Sequence, residues 1–282
     1  MKETGFYPGC SLQATSREYN ESVRALARHL SLPLREIEDW NCCGATAAHS
    51  MNHELALALP ARVLALAEAQ GMEEIVVPCA ACYGRLATTH HTLVTDEALR
   101  QKTCDTIEME YSGKLKILNA VQWIEQYVEP LLANAVTHPI NRKIACYYGC
   151  LLVRPHKVLQ FDRVEDPQSM DRLCALCGSK PVDWAFKTEC CGAGLSISRT
   201  QSVGRLSGAI LSDAAERGAE AIIVACPMCH SNLDMRRPAA NRSLGQKLDI
   251  PVLFITQLIG LALGIPRKEL GLDRHFVPVP QW

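Results

Sequence analysis

A spaced pattern of cysteines occurs twice in this 282-residue chain and constrains its fold more than any other feature. The first cysteine set has the pattern C-x31-CC-x35-C-x2-C and comprises Cys10, Cys42, Cys43, Cys79 and Cys82. The second cysteine set has the pattern C-x39-CC-x34-C-x2-C and comprises Cys150, Cys190, Cys191, Cys226 and Cys229. Both sets contain an adjacent pair, which a single disulfide bond does not readily explain.

The residues around the cysteines repeat as well. Three segments of the first half correspond to three segments of the second: YPGC to YYGC, EDWNCCGA to VDWAFKTECCGA, and IVVPCAAC to IIVACPMC. A repeat that is carried by three separate landmarks indicates a duplicated domain. We therefore predict two similar modules, a first half of residues 1–140 and a second half of residues 141–282, which join at the proline-containing segment THPINRK.

Strand-like and helix-like segments alternate in each half. GFYPGC, REIEDW, EEIVVPC and KLKIL are strand-like, whereas SREYNESVRALARHL has apolar residues at helical spacing. KIACYYGC, KPVDW, AEAIIVAC and VPVLFI repeat the strand pattern in the second half. The alternation predicts an α/β fold in which each module is a small parallel sheet flanked by helices. The cysteines follow the strands, and ligands of open α/β sheets collect at the carboxyl ends of strands.

Composition narrows the class of protein. The net charge is -1, with 48% hydrophobic and 21% charged residues, so no nucleic-acid or anionic-membrane surface is indicated. The start of the chain does not resemble a signal peptide, and the longest apolar stretch, Val252–Ile265, has 14 residues, too short for a membrane span of about 20. We expect a cytoplasmic, reduced protein. Its 14 cysteines then favour a metal framework over a disulfide framework.

The number of thiols per half points to the kind of metal centre. A structural zinc ion needs four ligands, and an ordinary cubane iron–sulfur cluster also takes four cysteines. Each set offers five, which favours a cluster that is not an ordinary cubane or one in which a thiolate bridges two irons. Backbone amides near Gly9, Gly44, Gly149 and Gly192 can approach the cluster sulfurs and tune the reduction potential. Two zinc sites are the alternative, and they leave the fifth thiol of each half unexplained.

With these motifs, the sequence resembles the B subunit of heterodisulfide reductase, which contains two cysteine-rich CCG modules. The resemblance covers nearly the whole chain, including the tail GLDRHFVP. It implies that each cysteine set holds one noncubane [4Fe-4S] cluster through its five cysteines. It also implies two partners, the ferredoxin-like C subunit and the flavin-containing A subunit of that enzyme. No GxGxxG follows a strand, so no flavin or nicotinamide is expected in this chain.

The resemblance further implies a disulfide or thiol substrate, reduced or formed by two one-electron steps at the two clusters. An electron-relay subunit of another oxidoreductase complex, with no disulfide substrate of its own, remains an alternative. For a two-cluster reaction we expect the site between the halves, with contributions from residues 11–13 and 151–156. An open pocket between the clusters would favour catalysis, and closed packing there would favour relay.

Several other residues could take part in the chemistry. His156 and His230 are candidate proton donors, and Arg154 or Lys157 could hold an anionic substrate group, although surface or capping roles are the plain alternative for both histidines. The remaining cysteines are assigned to packing or to an isolated thiol, and they are Cys104, Cys146, Cys174 and Cys177.

Overall fold

The computed structural model describes residues 3–45 and 48–282, which form two four-stranded parallel sheets. The first sheet has the strand order β2-β1-β3-β4 and the second has the order β6-β5-β7-β8. The strands of the first sheet are β1 Thr4–Phe6, β2 Leu34–Glu36, β3 Glu74–Val77 and β4 Lys116–Asn119. Those of the second sheet are β5 Lys143–Tyr147, β6 Lys180–Pro181, β7 Ala221–Val224 and β8 Val252–Phe254. The identical order confirms the predicted α/β fold built by duplication.

Helices connect the strands and cover the sheets, as parallel pairing requires. The helices of the first half are α1 Gly9–Gln13, α2 Arg17–His29, α3 Ala48–Met51, α4 His53–Ala69, α5 Ala80–Thr95, α6 Glu97–Ile107, α7 Ala120–Trp123 and α8 Glu129–Ala135, with a π-helical segment Ile124–Val128 between the last two. Those of the second half are α9 His156–Leu159, α10 Ser169–Leu176, α11 Thr200–Glu216, α12 Pro227–Leu233, α13 Arg237–Leu244 and α14 Ile255–Ala262.

The central strands carry the apolar runs that the sequence indicates. Every residue of β3 (EIVV) and of β7 (AIIV) is buried, because each strand lies between two neighbours and has helices on both faces. The second strand of each sheet is shorter than predicted. REIEDW pairs only as far as Glu36, and KPVDW pairs only at Lys180 and Pro181. The chain turns away at Asp39, which has a left-handed backbone conformation, and reaches the first cysteine pair three residues later.

Helix α2 of the first half lies against the second half. The Tyr19 ring stacks on Phe254 with centroids 3.9 Å apart, and the Tyr19 hydroxyl donates to the Ala225 carbonyl at 3.3 Å. The hydroxyls of Ser22 and Thr256 are 2.7 Å apart and buried. The reciprocal contact is made by α10 of the second half, whose Arg172 forms ion pairs with acidic residues of the segment that follows β4. The two halves therefore meet through equivalent elements.

The segment after α14 makes contacts with both halves of the molecule. Arg274 donates to both carboxylate oxygens of Glu21 on α2, at 3.1 and 2.9 Å. The backbone N–H groups of Phe276 and Val277 each donate to a carboxylate oxygen of Asp234, both at 2.9 Å. This segment, residues 270–277, thus ties α2 of the first half to the end of α12 in the second.

We predict that Ser22→Ala destabilises the contact between the halves. Ser22 donates to the Tyr19 carbonyl and can accept from Thr256, so its loss leaves the Thr256 hydroxyl buried without its partner, at a cost of about 1–3 kcal/mol. Chemical denaturation of anaerobically purified protein measures the free energy of unfolding. Thr256→Val is the matched control, because it leaves Ser22 its bond to Tyr19. The double variant should lose less free energy of unfolding than the two single variants lose together. Strict additivity would contradict a hydrogen bond between Ser22 and Thr256.

Candidate metal centre

All five cysteines of the first set lie beyond the carboxyl ends of strands. Cys10 follows β1, Cys42 and Cys43 end the loop after β2, and Cys79 and Cys82 follow β3 at the start of α5. The Sγ atoms of Cys10 and Cys42 are 3.9 Å apart, and those of Cys43 and Cys82 are 3.1 Å apart. The thiols of Cys79 and Cys82 are also in contact. The fold thus brings together five thiols that are up to 72 positions apart in the sequence.

The second set has the same arrangement in the second half. The Sγ atoms of Cys191 and Cys229 are 3.8 Å apart. Cys150 contacts Cys190, and Cys226 contacts Cys229. Cys150 follows β5 and Cys226 follows β7, as Cys10 and Cys79 follow β1 and β3. The duplication therefore extends from the sheet to the placement of the thiols.

Each set has an open edge and a buried edge. The thiols at the open edge are exposed, or half-buried in the case of Cys150, and belong to Cys10, Cys42, Cys150 and Cys190. The thiols of the other cysteines are buried, and they belong to Cys43, Cys79, Cys82, Cys191, Cys226 and Cys229. A centre held by either set is therefore reached from solvent on one side only.

A glycine before the first cysteine of each set allows the backbone to approach the sulfurs. Gly9 and Gly149 have φ angles of +63° and +67°, in the left-handed region. A Cβ atom at Gly9 would lie 3.2 Å from Cys82 Sγ, and one at Gly149 would lie 2.8 Å from Cys229 Sγ. Both the backbone conformation and the contact exclude larger residues here.

Two tyrosines hold the loops that carry the cysteine pairs. The Tyr7 hydroxyl donates to the Asn41 carbonyl at 2.8 Å, immediately before Cys42. The Tyr147 hydroxyl donates to the Glu189 carbonyl at 2.6 Å, immediately before Cys190. Burial, and after it the nearby cysteines, raise the pKa of both phenols, so they remain neutral donors.

Hydrogen-bond donors converge on the sulfurs. The Gly44 N–H lies 3.5 Å from Cys42 Sγ, and the Gly192 N–H lies 3.3 Å from Cys190 Sγ. A hydrogen bond from Cys150, followed by those from backbone N–H groups, lowers the pKa of Cys190 to about 6 despite burial. Cys226 caps the N-terminus of α12, and hydrogen bonds from Cys229 and Cys79 hold its pKa well below the usual value. These positions favour thiolates, the form that binds metal.

The two cysteine sets meet where the halves join. Cys79 of the first half and Cys226 of the second are both fully buried, and their thiols are in contact. Tyr19 lies beside them, and burial, then Cys226 and Cys79, raise the pKa of its phenol. Helix α1, which contains Cys10, contacts α12, and α9, which follows Cys150, contacts α5. Sulfur contacts therefore run from one set to the other through a buried interface.

The chemistry of the donor set fits an iron–sulfur cluster. Each set gathers five thiols beyond the ends of the strands, several of them in pairwise contact, together with N–H donors that point at sulfur. Thiolates are the usual ligands of such clusters, and hydrogen bonds to their sulfurs tune the potential. A tetrahedral zinc ion would use four thiols of each set and leave the fifth without a role.

Arg154, His156 and Lys157 follow Cys150 in the second half. Arg154 is half-buried and donates to both carboxylate oxygens of Glu165, each at 3.1 Å. His156 and Lys157 are exposed at the start of α9. Arg154 is thus held by an acidic partner, whereas His156 faces solvent.

His230 is buried in a hydrogen-bond network and is not a surface residue. Its Nε2 is 3.1 Å from the Val252 carbonyl, its Nδ1 is 3.7 Å from a Glu18 oxygen, and its ring stacks on Phe254. Burial lowers the pKa of His230 to about 4. The ligand atoms of His230, Asp234 and His275 lie within 4.8 Å of one another, but both Asp234 oxygens already accept backbone hydrogen bonds. The structure therefore ties His230 to the packing of the two halves.

The remaining cysteines are buried away from both sets. Cys146 lies on β5, and its Sγ is 3.9 Å from that of Cys174 on α10. Cys177 ends the same helix, and Cys104 is buried on α6. Their environment agrees with the packing roles expected for Cys146, Cys174 and Cys177.

Three residues of the site were not predicted from the sequence. Tyr7 and Tyr147 precede the first cysteine of each set, and their repetition in YPGC and YYGC was an available signal. Asn232, whose Nδ2 is 3.7 Å from Cys191 Sγ, had no such signal, because position 85 of the first half carries Arg85.

Comparison with known proteins places these features in a family. The cysteine-rich domain model named CCG matches residues 4–87 and 144–234. A protein of Wolinella succinogenes named 8-methylmenaquinol:fumarate reductase membrane anchor subunit is 32% identical, covering 98% of both chains. Two proteins of Methanosarcina, from M. acetivorans and M. mazei, are named as B subunits of CoB-CoM heterodisulfide reductases; each is 29% identical and covers 98% of this chain and 94% of its own.

A solved structure shows the same fold. It is a crystal structure of a hypothetical protein from Helicobacter pylori, with a TM-score of 0.82 at 15% sequence identity. The match covers 99% of this chain and 52% of the other, so this chain spans about half the length of that protein.

In the described part of the chain, no helix combines the length and the apolar character needed to cross a membrane. The resemblance to the B subunit of heterodisulfide reductase, inferred from the sequence, is confirmed by relatives that match along nearly the whole chain. With two matched segments that together cover more than half of its residues, the chain belongs to the family of proteins built from the cysteine-rich CCG domain.

Proposed function

We propose that this protein is an iron–sulfur subunit of an oxidoreductase complex, and that it reduces or forms a disulfide in two one-electron steps. The relatives support the first part of this proposal, a subunit of an oxidoreductase complex, since their names are those of subunits of reductases. The observation that carries the second part, the disulfide chemistry, is that two equivalent cysteine sets adjoin where the halves meet and that each keeps thiols exposed at one edge. Reduction of a disulfide to two thiols takes two electrons and two protons, and two one-electron centres side by side match that demand.

We assign one noncubane [4Fe-4S] cluster to each set, within modules of residues 1–140 and 141–282. The ligands of the first would be Cys10, Cys42, Cys43, Cys79 and Cys82, and those of the second would be Cys150, Cys190, Cys191, Cys226 and Cys229. When bound, each cluster supplies or accepts one electron at a time.

The protein's own residues would exclude water and leave one approach open. Cys79 and Cys226 are buried beside Tyr19, so no solvent enters between the sets at that point. Cys10 and Cys150, in contrast, begin the segments that contact the opposite half and are at least partly exposed. A disulfide substrate would therefore approach along the seam between the halves.

Charged groups near this seam could handle protons and anions. His156 is exposed and could donate a proton to a departing thiolate. Arg154 could hold an anionic substrate group only by leaving Glu165. His230 is the weaker proton donor, because its Nε2 lies against the Val252 carbonyl and its ring is buried.

Electrons would come from a partner. By analogy with the heterodisulfide reductase relatives, we propose a cytoplasmic complex with a ferredoxin-like C subunit and a flavin-containing A subunit. We assign no flavin or nicotinamide to this chain, because its sequence contains no GxGxxG loop after a strand. Electrons would then enter through the iron–sulfur partner.

An electron relay without its own disulfide substrate is the second candidate. Two observations favour it: the Wolinella relative is named as a subunit of a fumarate reductase, and the contact between Cys79 and Cys226 is closed. One measurement distinguishes the two candidate functions. With reduced methyl viologen as the electron donor, a disulfide reductase releases thiols from an added disulfide, whereas a relay only becomes reduced.

The first prediction from this proposal concerns metal content. Anaerobically purified protein should contain about eight irons per chain, four for each cluster. Elemental analysis for iron and zinc measures this directly. Two zinc ions with negligible iron would refute the iron–sulfur assignment.

A second prediction tests the close approach of Gly149 to the second set. Gly149→Ala should remove about half of the iron, because the added methyl group would lie 2.8 Å from Cys229 Sγ. Gly218→Ala is the matched control: its φ angle is +75°, and no atom lies within 4 Å of the added methyl group. Gly218→Ala should therefore retain its iron while losing about 1 kcal/mol of stability. Equal iron contents in the two variants would argue against ligation by Cys229.

A third prediction separates the two clusters. Cys43→Ala and Cys191→Ala should each lose one cluster and keep the other, as iron analysis and electron paramagnetic resonance can show. Each change alone should abolish thiol release from a disulfide, since two electrons are needed. Full turnover with one cluster absent would rule out the two-cluster reaction and leave the relay function.

A further inference from the structure

One polar side chain breaks the equivalence of the two cysteine sets. Asn232 lies on α12, three positions after Cys229, and is completely buried. The equivalent position of the first half, three after Cys82, carries the half-buried Arg85 on α5. Among residues 3–45 and 48–282, no side-chain amide reaches a cysteine sulfur of the first set. The two halves therefore differ at the sulfur atoms despite their common fold.

The Asn232 amide is directed at one cysteine. Its Nδ2 donates to the Cys191 carbonyl at 3.0 Å and lies 3.7 Å from Cys191 Sγ. Its Oδ1 is buried and has no hydrogen-bond partner among the described residues. A buried acceptor without a partner is costly, so an apolar side chain of similar volume would be the better choice for packing alone. The presence of an amide here points to a role for its N–H group, which faces both the carbonyl and the sulfur of Cys191.

We propose that Asn232 is a positioning residue that raises the reduction potential of the second cluster relative to the first. The proposal rests on the function proposed above, in which Cys191 is a ligand. Reduction adds negative charge to a cluster and its thiolates. A hydrogen bond to a ligand sulfur stabilises that charge, and it does so strongly where the surroundings are dry. The first electron to enter the pair then resides on the second cluster.

The equivalent cysteine of the first set lacks this donor. Cys43 is hydrogen-bonded by Cys42 and Cys82 and by backbone N–H groups, and Cys82 Sγ is 3.1 Å away. Thiol contacts of that kind disappear once the cysteines are ligands, whereas the backbone donors at Cys43 and the side-chain amide at Cys191 remain. The asymmetry is therefore a property of the assembled centre.

Redox titration of the protein with both clusters, followed by electron paramagnetic resonance, tests the proposal. Asn232→Leu should lower one of the two midpoint potentials and leave the other unchanged. We expect about a tenfold change in the one-electron equilibrium, which corresponds to about 59 mV. Unchanged midpoints in a variant with full iron content would overturn the proposal. Wild-type protein without iron would instead refute the function on which it rests.

Two further variants separate tuning from packing. Ser207→Ala removes a buried hydroxyl that also donates to the Cys191 carbonyl, at 3.5 Å, but not to its sulfur. Both midpoints should stay at their wild-type values in this variant, and a shift equal to that of Asn232→Leu would overturn the proposal. If Asn232→Leu loses iron, Asn232→Asp keeps the side-chain volume, and its carboxylate both removes the donor and adds negative charge beside Cys191, so the midpoint should fall at least as far. An unshifted midpoint in Asn232→Asp would then count against the proposal.

Discussion

Ten thiol groups gathered in two adjoining sets cannot all ionise unless positive charge lies among them, and this electrostatic constraint governs both halves of the molecule. Like charges a few ångströms apart in a dry interior oppose each other strongly. The fold offers partial compensation through N–H groups of the loops and through the helix N-termini at Cys79 and Cys226. Those groups favour a few thiolates, as at Cys190 and Cys226, while the pKa values of Cys79, Cys82 and Cys229 are raised. A bound metal centre would supply the missing positive charge. Metal binding and the arrangement of the cysteine loops are therefore coupled.

The same segments build the sites and the interface between the halves. The chain after Cys10 contacts α12, and the chain after Cys150 contacts α5, so each half places part of its own site against a helix of the other. Each of those helices begins at the last two cysteines of its set. Disturbing the docking of the halves would consequently disturb both sites, and two CCG domains expressed separately would each expose a face that the other normally covers.

Much of this organisation can be read from the sequence, because the duplication supplies an internal comparison. The repeated landmarks predict the equivalent sheets, and the alternation of IVV and IIV runs with amphipathic segments predicts their parallel strands. The strand predicted over REIEDW was too long, since a left-handed turn at Asp39 ends pairing early. The contact between Cys79 and Cys226 could not be predicted, because local patterns carry no information about how two modules dock. The surface position considered for His230 was wrong for the same reason: its burial depends on Glu18 and Phe254, which lie far away in the chain.

The segment 270–277 has a consequence for the order of assembly during synthesis. Domains generally fold as units, N-terminal first, as the chain emerges from the ribosome. The first half can form its sheet early, but the face of α2 that carries Tyr19 and Ser22 stays uncovered until Phe254 and Thr256 have been made. Arg274 then donates a hydrogen bond to Glu21 on the same helix. The face of α2 thus stays uncovered while more than a hundred further residues are synthesised, and throughout that period Cys79 lacks the cover that the second half later provides.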